Sequence, residues 1–175
     1  MISLYDILEA SNGQLFGEAA AHLFTDFCFD SRQASESQLY VALKTERGDT
    51  HQFMREAVER GVTGILCTHP PDFDTQGLSV VLVRDTDAAL MNWTRYILHK
   101  LGTQVICVAG TTGKSLAVEA ISRVLSKRYS VLRSHDDSTG RLGLPRTLAH
   151  LNADHQFVVL ELDIVRPGMM AEFVQ

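Results

Sequence analysis

Residues 105–115 read Val-Ile-Cys-Val-Ala-Gly-Thr-Thr-Gly-Lys-Ser, and no other stretch restricts the fold of this chain as strongly. An apolar run of strand length enters a short loop, Gly110-Thr111-Thr112-Gly113, and Lys114-Ser115 opens a helix. A strand that turns through glycines into a helix presents backbone N–H groups at the helix N-terminus, where an anion is stabilised. Lys114 adds positive charge, and the Ser115 hydroxyl is an oxygen of the kind that reaches Mg²⁺ in a phosphate-binding loop. A nucleoside triphosphate is therefore the first ligand to consider. The full pattern asks for a glycine five residues before Gly113, where this chain has Val108, so the motif is a shortened form. The competing reading is an ordinary strand-to-helix turn with a surface lysine. The helix favours the first, because Ala117, Ile121, Val124 and Leu125, with Leu116 and Ala120, recur at helical spacing and predict a packed face.

A loop of this kind needs a parallel α/β sheet around it, and the rest of the chain is read for one. Helices are predicted at 4–10, from 50 to a stop at Gly61, from 86 to 101, over 114–129 and over 144–151. Thr50 and Thr86 are the predicted N-caps. Strands are predicted at 24–29, 39–43, 64–68, 78–83, 104–109, 131–133 and 157–162. Pro167-Gly168 opens a last helix. Strands alternating with helices imply parallel βαβ units. The fold class is α/β: a small N-terminal α/β domain over 1–102, followed by part of a phosphate-loop, parallel-sheet domain over 103–175. The second region offers too few strands to cover a parallel core on both faces, so a partner or a longer polypeptide is expected to complete it.

Composition narrows the function classes. A net charge of −5 argues against a general nucleic-acid binder. No apolar run approaches the roughly 20 residues of a membrane span. The N-terminus lacks the basic start and apolar core of a signal peptide. The three cysteines, Cys28, Cys67 and Cys107, sit in apolar runs and are expected to be buried free thiols in a reducing cytoplasm. The seven histidines have no metal-ligand spacing with them, which argues against a zinc site.

Glu161 closes the apolar strand 157–160, and a carboxylate at the C-terminal end of a parallel strand lies where α/β sheets bind ligands. With Ser115 it is a candidate Mg²⁺ ligand, the alternatives being a solvated strand-end acid or Asp163, two residues on. Arg128, Arg133, Arg141 and Arg146 are candidates for the phosphates of a second substrate, or for a solvated basic surface. His135, Asp136 and Asp137 form a polar loop that faces the same cleft or is a plain turn. His51, just before a helix, is a candidate donor to an anion or a structural histidine.

Together these residues resemble the Mur ligase family. Asp30-Ser31-Arg32, then Leu39-Tyr40-Val41-Ala42-Leu43-Lys44-Thr45-Glu46-Arg47, then Asp49-Thr50-His51-Gln52-Phe53 stand where the family has Asp-Ser-Arg, Leu-Phe-Val-Ala-Leu-Lys-Gly-Glu-Arg and Asp-Gly-His-x-Phe. The loop at 110–115 matches Gly-Thr/Ser-Asn-Gly-Lys-Thr, Gly143-Leu144-Pro145 matches Gly-Val-Pro, and Glu161-Leu162 with Arg166-Pro167-Gly168 matches the segment around the magnesium-binding Glu. The resemblance implies an ATP-dependent amide-bond ligase of peptidoglycan biosynthesis. In such a ligase ATP phosphorylates a UDP-muramoyl peptide carboxylate, and the amine of an amino acid or dipeptide attacks the acyl phosphate. It implies that Lys114 and the amides of Gly110, Thr111, Thr112, Gly113 and Ser115 hold ATP, and that Ser115 and Glu161 hold Mg²⁺. It further implies that Ser31, Arg32, Lys44 and His51 receive the UDP end. The chain departs from the family at Thr45, Thr50, Thr112, Leu116, 137–141 and Asp163. The family's further metal-binding His and C-terminal domain have no counterpart in this sequence, so the chain is expected to be the N-terminal portion of a ligase and not competent alone. The alternative is a non-catalytic Mur-like module that binds a nucleotide or a partner. A small kinase is disfavoured by the N-terminal blocks.

Overall fold

The computed structural model describes residues 1–45, 48–134 and 142–162. Glu46, Arg47, His135, Asp136, Asp137, Arg141, Asp163 and the predicted last helix lie outside the described residues. The chain divides into two compact units, Met1–Lys100 and Leu101–Gln175.

The first unit is built on a five-stranded sheet. Its elements are β1 (Ile2–Ser3), α1 (Leu4–Ser11), β2 (Gln14–Phe16), β3 (Leu23–Phe24), β4 (Phe27–Cys28), β5 (Leu39–Val41), β6 (Lys44–Thr45), β7 (Gly48–Asp49), α2 (Met54–Glu59), β8 (Gly64–Cys67), β9 (Ser79–Leu82) and α3 (Thr86–Leu101). The strand order is β2-β9-β8-β5-β4, with β4, β5, β8 and β9 parallel and β2 antiparallel along β9. Every residue of β5 and of β8 is buried, the mark of parallel strands covered on both faces. On one face Met54 and Ala57 of α2 join Tyr40, Ile65 and Cys67 in the core. On the other, Trp93 of α3 meets the Phe27 ring edge-on at a centroid distance of 4.9 Å. Gly64 is obligatory here, because a Cβ at that position would run into the Phe24 ring and lie 2.8 Å from Leu39 Cδ1.

In the first unit three predicted features are corrected by the structure. The strand expected over 24–29 is two short strands, β3 and β4, which pair with different partners. Asp85, not Thr86, caps α3, its Oδ1 accepting from the N–H groups of Asp87 at 2.8 Å and Ala88 at 3.0 Å. Asp49, not Thr50, caps the short helical turn Thr50–Phe53, its carboxylate accepting from His51 N–H. A carboxylate accepts more strongly than a hydroxyl at a helix N-terminus, so the aspartate wins where both are available. Thr50 instead clamps the base of the β6–β7 hairpin: its Oγ1 accepts from Leu43 N–H at 2.7 Å and donates to Leu43 C=O at 3.2 Å.

The second unit contains β10 (Gln104–Ala109), α4 (Lys114–Leu125), β11 (Val131–Arg133), α5 (Gly143–Leu148) and β12 (Phe157–Leu162). Its described strands are all parallel, in the order β10-β12-β11. The central strand β12 is the best buried, whereas most of β10 is open to solvent. Cys107 is accordingly exposed, against the expectation of three buried thiols; only Cys28 and Cys67 are buried. The packed face of α4 also differs from the predicted one. Val118 and Ser122 are its buried residues, while Leu116 and Val124 are 72% and 73% exposed. Among the described residues, no helix is long and apolar enough to cross a membrane.

Candidate functional site

The phosphate-loop candidate lies at the C-terminal edge of the three-stranded sheet. Gly110, Thr111, Thr112 and Gly113 form an exposed turn between β10 and α4. Gly113 has φ of 76°, in the left-handed region that a side chain disfavours, and a Cβ there would meet nothing within 4 Å. That backbone turn starts α4 at Lys114 and leaves open space beside the helix N-terminus. Register does the rest: Val108 of β10 lies opposite Glu161 of β12, so the carboxylate rises beside the loop.

Three side chains meet there. Ser115 Oγ donates to Glu161 Oε2 at 2.8 Å, and Lys114 Nζ lies 3.7 Å from Glu161 Oε1. The hydroxyl and ammonium thus address different oxygens of one carboxylate. Sequence reasoning missed Ser134. Its hydroxyl, buried just past β11, accepts from the Glu161 backbone N–H at 2.8 Å, while its own N–H donates to Val159 C=O. It fixes the end of the strand that carries Glu161. A hydroxyl directly after a predicted parallel strand was the available signal. A carboxylate and a hydroxyl are hard oxygen donors, and Mg²⁺ takes one or two such protein ligands together with substrate phosphates. The arrangement therefore fits a magnesium-bound triphosphate. Among the described residues no group of three or more His, Cys, Asp or Glu is placed to hold a metal.

The first unit holds the other candidate residues. Asp30 accepts from Arg32 N–H, and its two carboxylate oxygens take Arg32 Nε and Nη2 at 2.9 and 2.7 Å. This fork of donors lowers the Asp30 pKa to about 2. Ser31 is buried and donates to Glu56 Oε2 of α2 at 2.9 Å; Glu56 in turn pairs with Arg60. Lys44 lies opposite Asp49 across the β6–β7 hairpin and is exposed.

His51 is only 6% exposed, and both ring nitrogens are occupied. Nε2 accepts from Thr68 N–H at 3.0 Å, which places the ring proton on Nδ1, facing Asp49 Oδ1. Asp49's pKa is lowered, first by the His51 backbone N–H and then by the His51 ring. A nitrogen that receives a backbone N–H is no donor to an anion, so the geometry speaks for the structural alternative for this ring. His51 stacks on His69 at 4.4 Å, and the His69 ring is exposed.

Both histidines line a cavity of about 550 Å³ with Asp49, Gln52, Arg55 and Phe73. Arg55 lies over the Phe73 ring at 5.2 Å and 3.8 Å from Asp72. Of the four candidates the cavity wall contains His51; Lys44 pairs with the lining residue Asp49 across the hairpin, and Lys44, Ser31 and Arg32 are not in the wall. Arg55 and His69 were missed. Arg55 follows His51 by one helical turn, and His69 stands just after the C-terminal end of β8, which were the two signals available.

No protein-family model matches the chain. It is 33% identical over 139 residues to the UDP-N-acetylmuramoyl-tripeptide–D-alanyl-D-alanine ligase of Bacillus subtilis, covering 79% of this chain and 30% of that protein. A crystal structure of MurF from Acinetobacter baumannii superposes with a TM-score of 0.85 at 26% identity, over 95% of this chain and 36% of that one. MurF ligase from Thermotoga maritima, in complex with ADP, superposes with a TM-score of 0.72 at 25% identity, over 90% of this chain and 35% of that one. The chain spans about a third of the length of the curated relatives it matches.

Proposed function

We propose that this chain, which matches Mur ligases in sequence and fold over about a third of their length, carries the two nucleotide-facing parts of an ATP-dependent amide-bond ligase. Residues 103–175 hold the phosphates of ATP, and residues 1–102 receive the UDP end of a UDP-muramoyl peptide. The observation that carries this reading is the convergence of Lys114 and Ser115 on Glu161 beside the open turn at Gly113.

Each residue has a role that follows from its chemistry. Lys114 leaves Glu161 and binds phosphate oxygens, with which an ammonium pairs more strongly than with a shared carboxylate at 3.7 Å. The loop N–H groups and the α4 N-terminus orient the same oxygens. Ser115 and Glu161 hold Mg²⁺, and Ser134 keeps Glu161 in place. When bound, Mg²⁺ neutralises phosphate charge, which is most of what phosphoryl transfer to a carboxylate requires. In the first unit, Lys44 supplies positive charge for a diphosphate and the cavity at His69 and Phe73 supplies ring surface. His51 positions that wall, and Ser31 and Arg32 brace the neighbouring turn through Glu56 and Asp30. Free thiols and ATP chemistry fit a cytoplasmic setting and a place in peptidoglycan biosynthesis.

Calorimetric titration with Mg-ATP tests the reading. Lys114→Ala is expected to weaken binding by roughly thirtyfold, the worth of a charge-assisted contact. Equal affinity in the two proteins would sink the assignment. In a parallel NMR titration with UDP, shifts confined to residues beyond 102 would overturn the role given to the first unit.

A further inference from the structure

A second basic cleft lies away from the phosphate loop, between the later turns of α4 and the strand β11. Glu119, Ser122 and Arg123 lie on one face of α4 at spacings of three and four, and Ser126 and Lys127, in the turn that follows the helix, continue that spacing. Arg133 closes the cleft from β11. A helix stripe beside an edge strand ordinarily buries apolar side chains. Here it is polar, with Val131 of β11 as an apolar neighbour, and it borders an open cleft of about 480 Å³, a volume suited to a small molecule.

Two observations give the cleft a chemical preference. The first is charge: three cations, Arg123, Lys127 and Arg133, face a single carboxylate, Glu119, in a chain whose net charge is −5. Glu119 is spent on Arg123, with which it forms an i,i+4 ion pair. Among the described residues, Lys127 and Arg133 have no ion-pair partner. The second is Ser122. It is 5% exposed, and its hydroxyl has no hydrogen-bond partner among the described residues. A buried hydroxyl without a partner is costly, and a ligand oxygen would satisfy it.

We propose that this cleft is a second anion site that binds the di- or triphosphate group of a small molecule. Lys127 and Arg133 provide the charge, Ser122 donates from the floor, and Arg123, steadied by Glu119, closes one side. The ligand chemistry is that of linked phosphates, whether free pyrophosphate or the phosphates of a nucleotide.

The test is calorimetric titration of the full chain with inorganic pyrophosphate in a Lys114→Ala background, which weakens the loop without touching the cleft. Pyrophosphate should still bind, and adding Lys127→Gln with Arg133→Gln should weaken it about tenfold or more. Ser122→Ala should weaken it several-fold while raising the melting temperature of the ligand-free protein. Loss of all pyrophosphate binding in Lys114→Ala alone would overturn the proposal. So would affinity that the Lys127→Gln/Arg133→Gln pair leaves unchanged in a protein with an unaltered melting temperature. Titration with ADP in the same background identifies the source: tighter binding than pyrophosphate points to a nucleotide, equal binding to the inorganic ion. Because the readout is taken without Lys114, its failure is separable from failure of the ATP assignment.

Discussion

The two candidate sites differ in how their charged groups are held. At the loop, Lys114 and Ser115 reach Glu161 through side chains alone, and all three can turn toward a ligand without disturbing a strand. At the first-unit cavity, His51 is held by a backbone N–H of Thr68 and by the carboxylate that caps its own turn. One set of contacts joins side chains only; the other ties a ring to the backbone, and on the proposed reading the first is exchanged for a ligand while the second holds the wall in place. A match to a family pattern therefore covers two roles, and only the partners of each atom separate them.

Substitutions can break this comparison, and the largest effect is expected at the cavity. His51→Ala leaves Thr68 N–H without its acceptor and removes the ring under His69, which should cost about 3 kcal/mol of stability. Denaturant unfolding followed by the fluorescence of Trp93, the one tryptophan and a buried one, reads this directly. Lys114→Ala should do the reverse, sparing stability while ATP affinity falls by roughly 2 kcal/mol. If the two losses were exchanged, the contrast between scaffold and ligand-facing residues would be wrong. Glu161→Gln sharpens the loop half. It removes a negative charge 3.7 Å from the Lys114 ammonium, so ATP without magnesium should bind several-fold more tightly, while the gain from adding magnesium shrinks; calorimetry with and without the metal distinguishes the two. Gly113→Ala forces a side chain into a φ of 76° and should cost about 1 kcal/mol in melting experiments.

The smallest effect belongs to the exposed fork at Asp30. Its pKa is depressed from 3.8 to about 2, so its contribution is present above the ordinary aspartate range and is lost as the pH falls toward 2. The difference in melting temperature between the protein and Arg32→Ala should accordingly be constant near neutrality and vanish across that acid window. A difference undiminished between neutrality and pH 2 would remove the ion pair as its cause.

Much of this was legible because parallel strands covered on both faces read as apolar runs: β5 and β8 do throughout, and β9 and β12 do apart from Ser79 and Glu161. The strand β2 was not, since Gln14, Leu15 and Phe16 carry no such run and owe their conformation to β9 alongside. Period also failed to say which side of α4 is covered, as Leu116 and Val124 share the apolar spacing but not the packing. At the loop, Lys114, Ser115 and Glu161 could be anticipated, because strand ends and helix starts in a parallel sheet fall on one edge. Arg55 and His69 could not, because their cavity joins α2 to the segment after β8 and depends on a tertiary arrangement that spacing does not encode.

The open face of β10 has a practical consequence. Of the three cysteines, Cys67 is buried with its thiol pushed up to about 12, Cys28 is buried with its Sγ donating to Asp30 C=O, and Cys107 alone reaches solvent. Since Cys107 sits on the strand that feeds the loop at Gly110, a maleimide dye attached there is a single-site optical reporter. Partial burial raises the Cys107 pKa as well, so labelling quickens with rising pH and remains confined to that one sulfur.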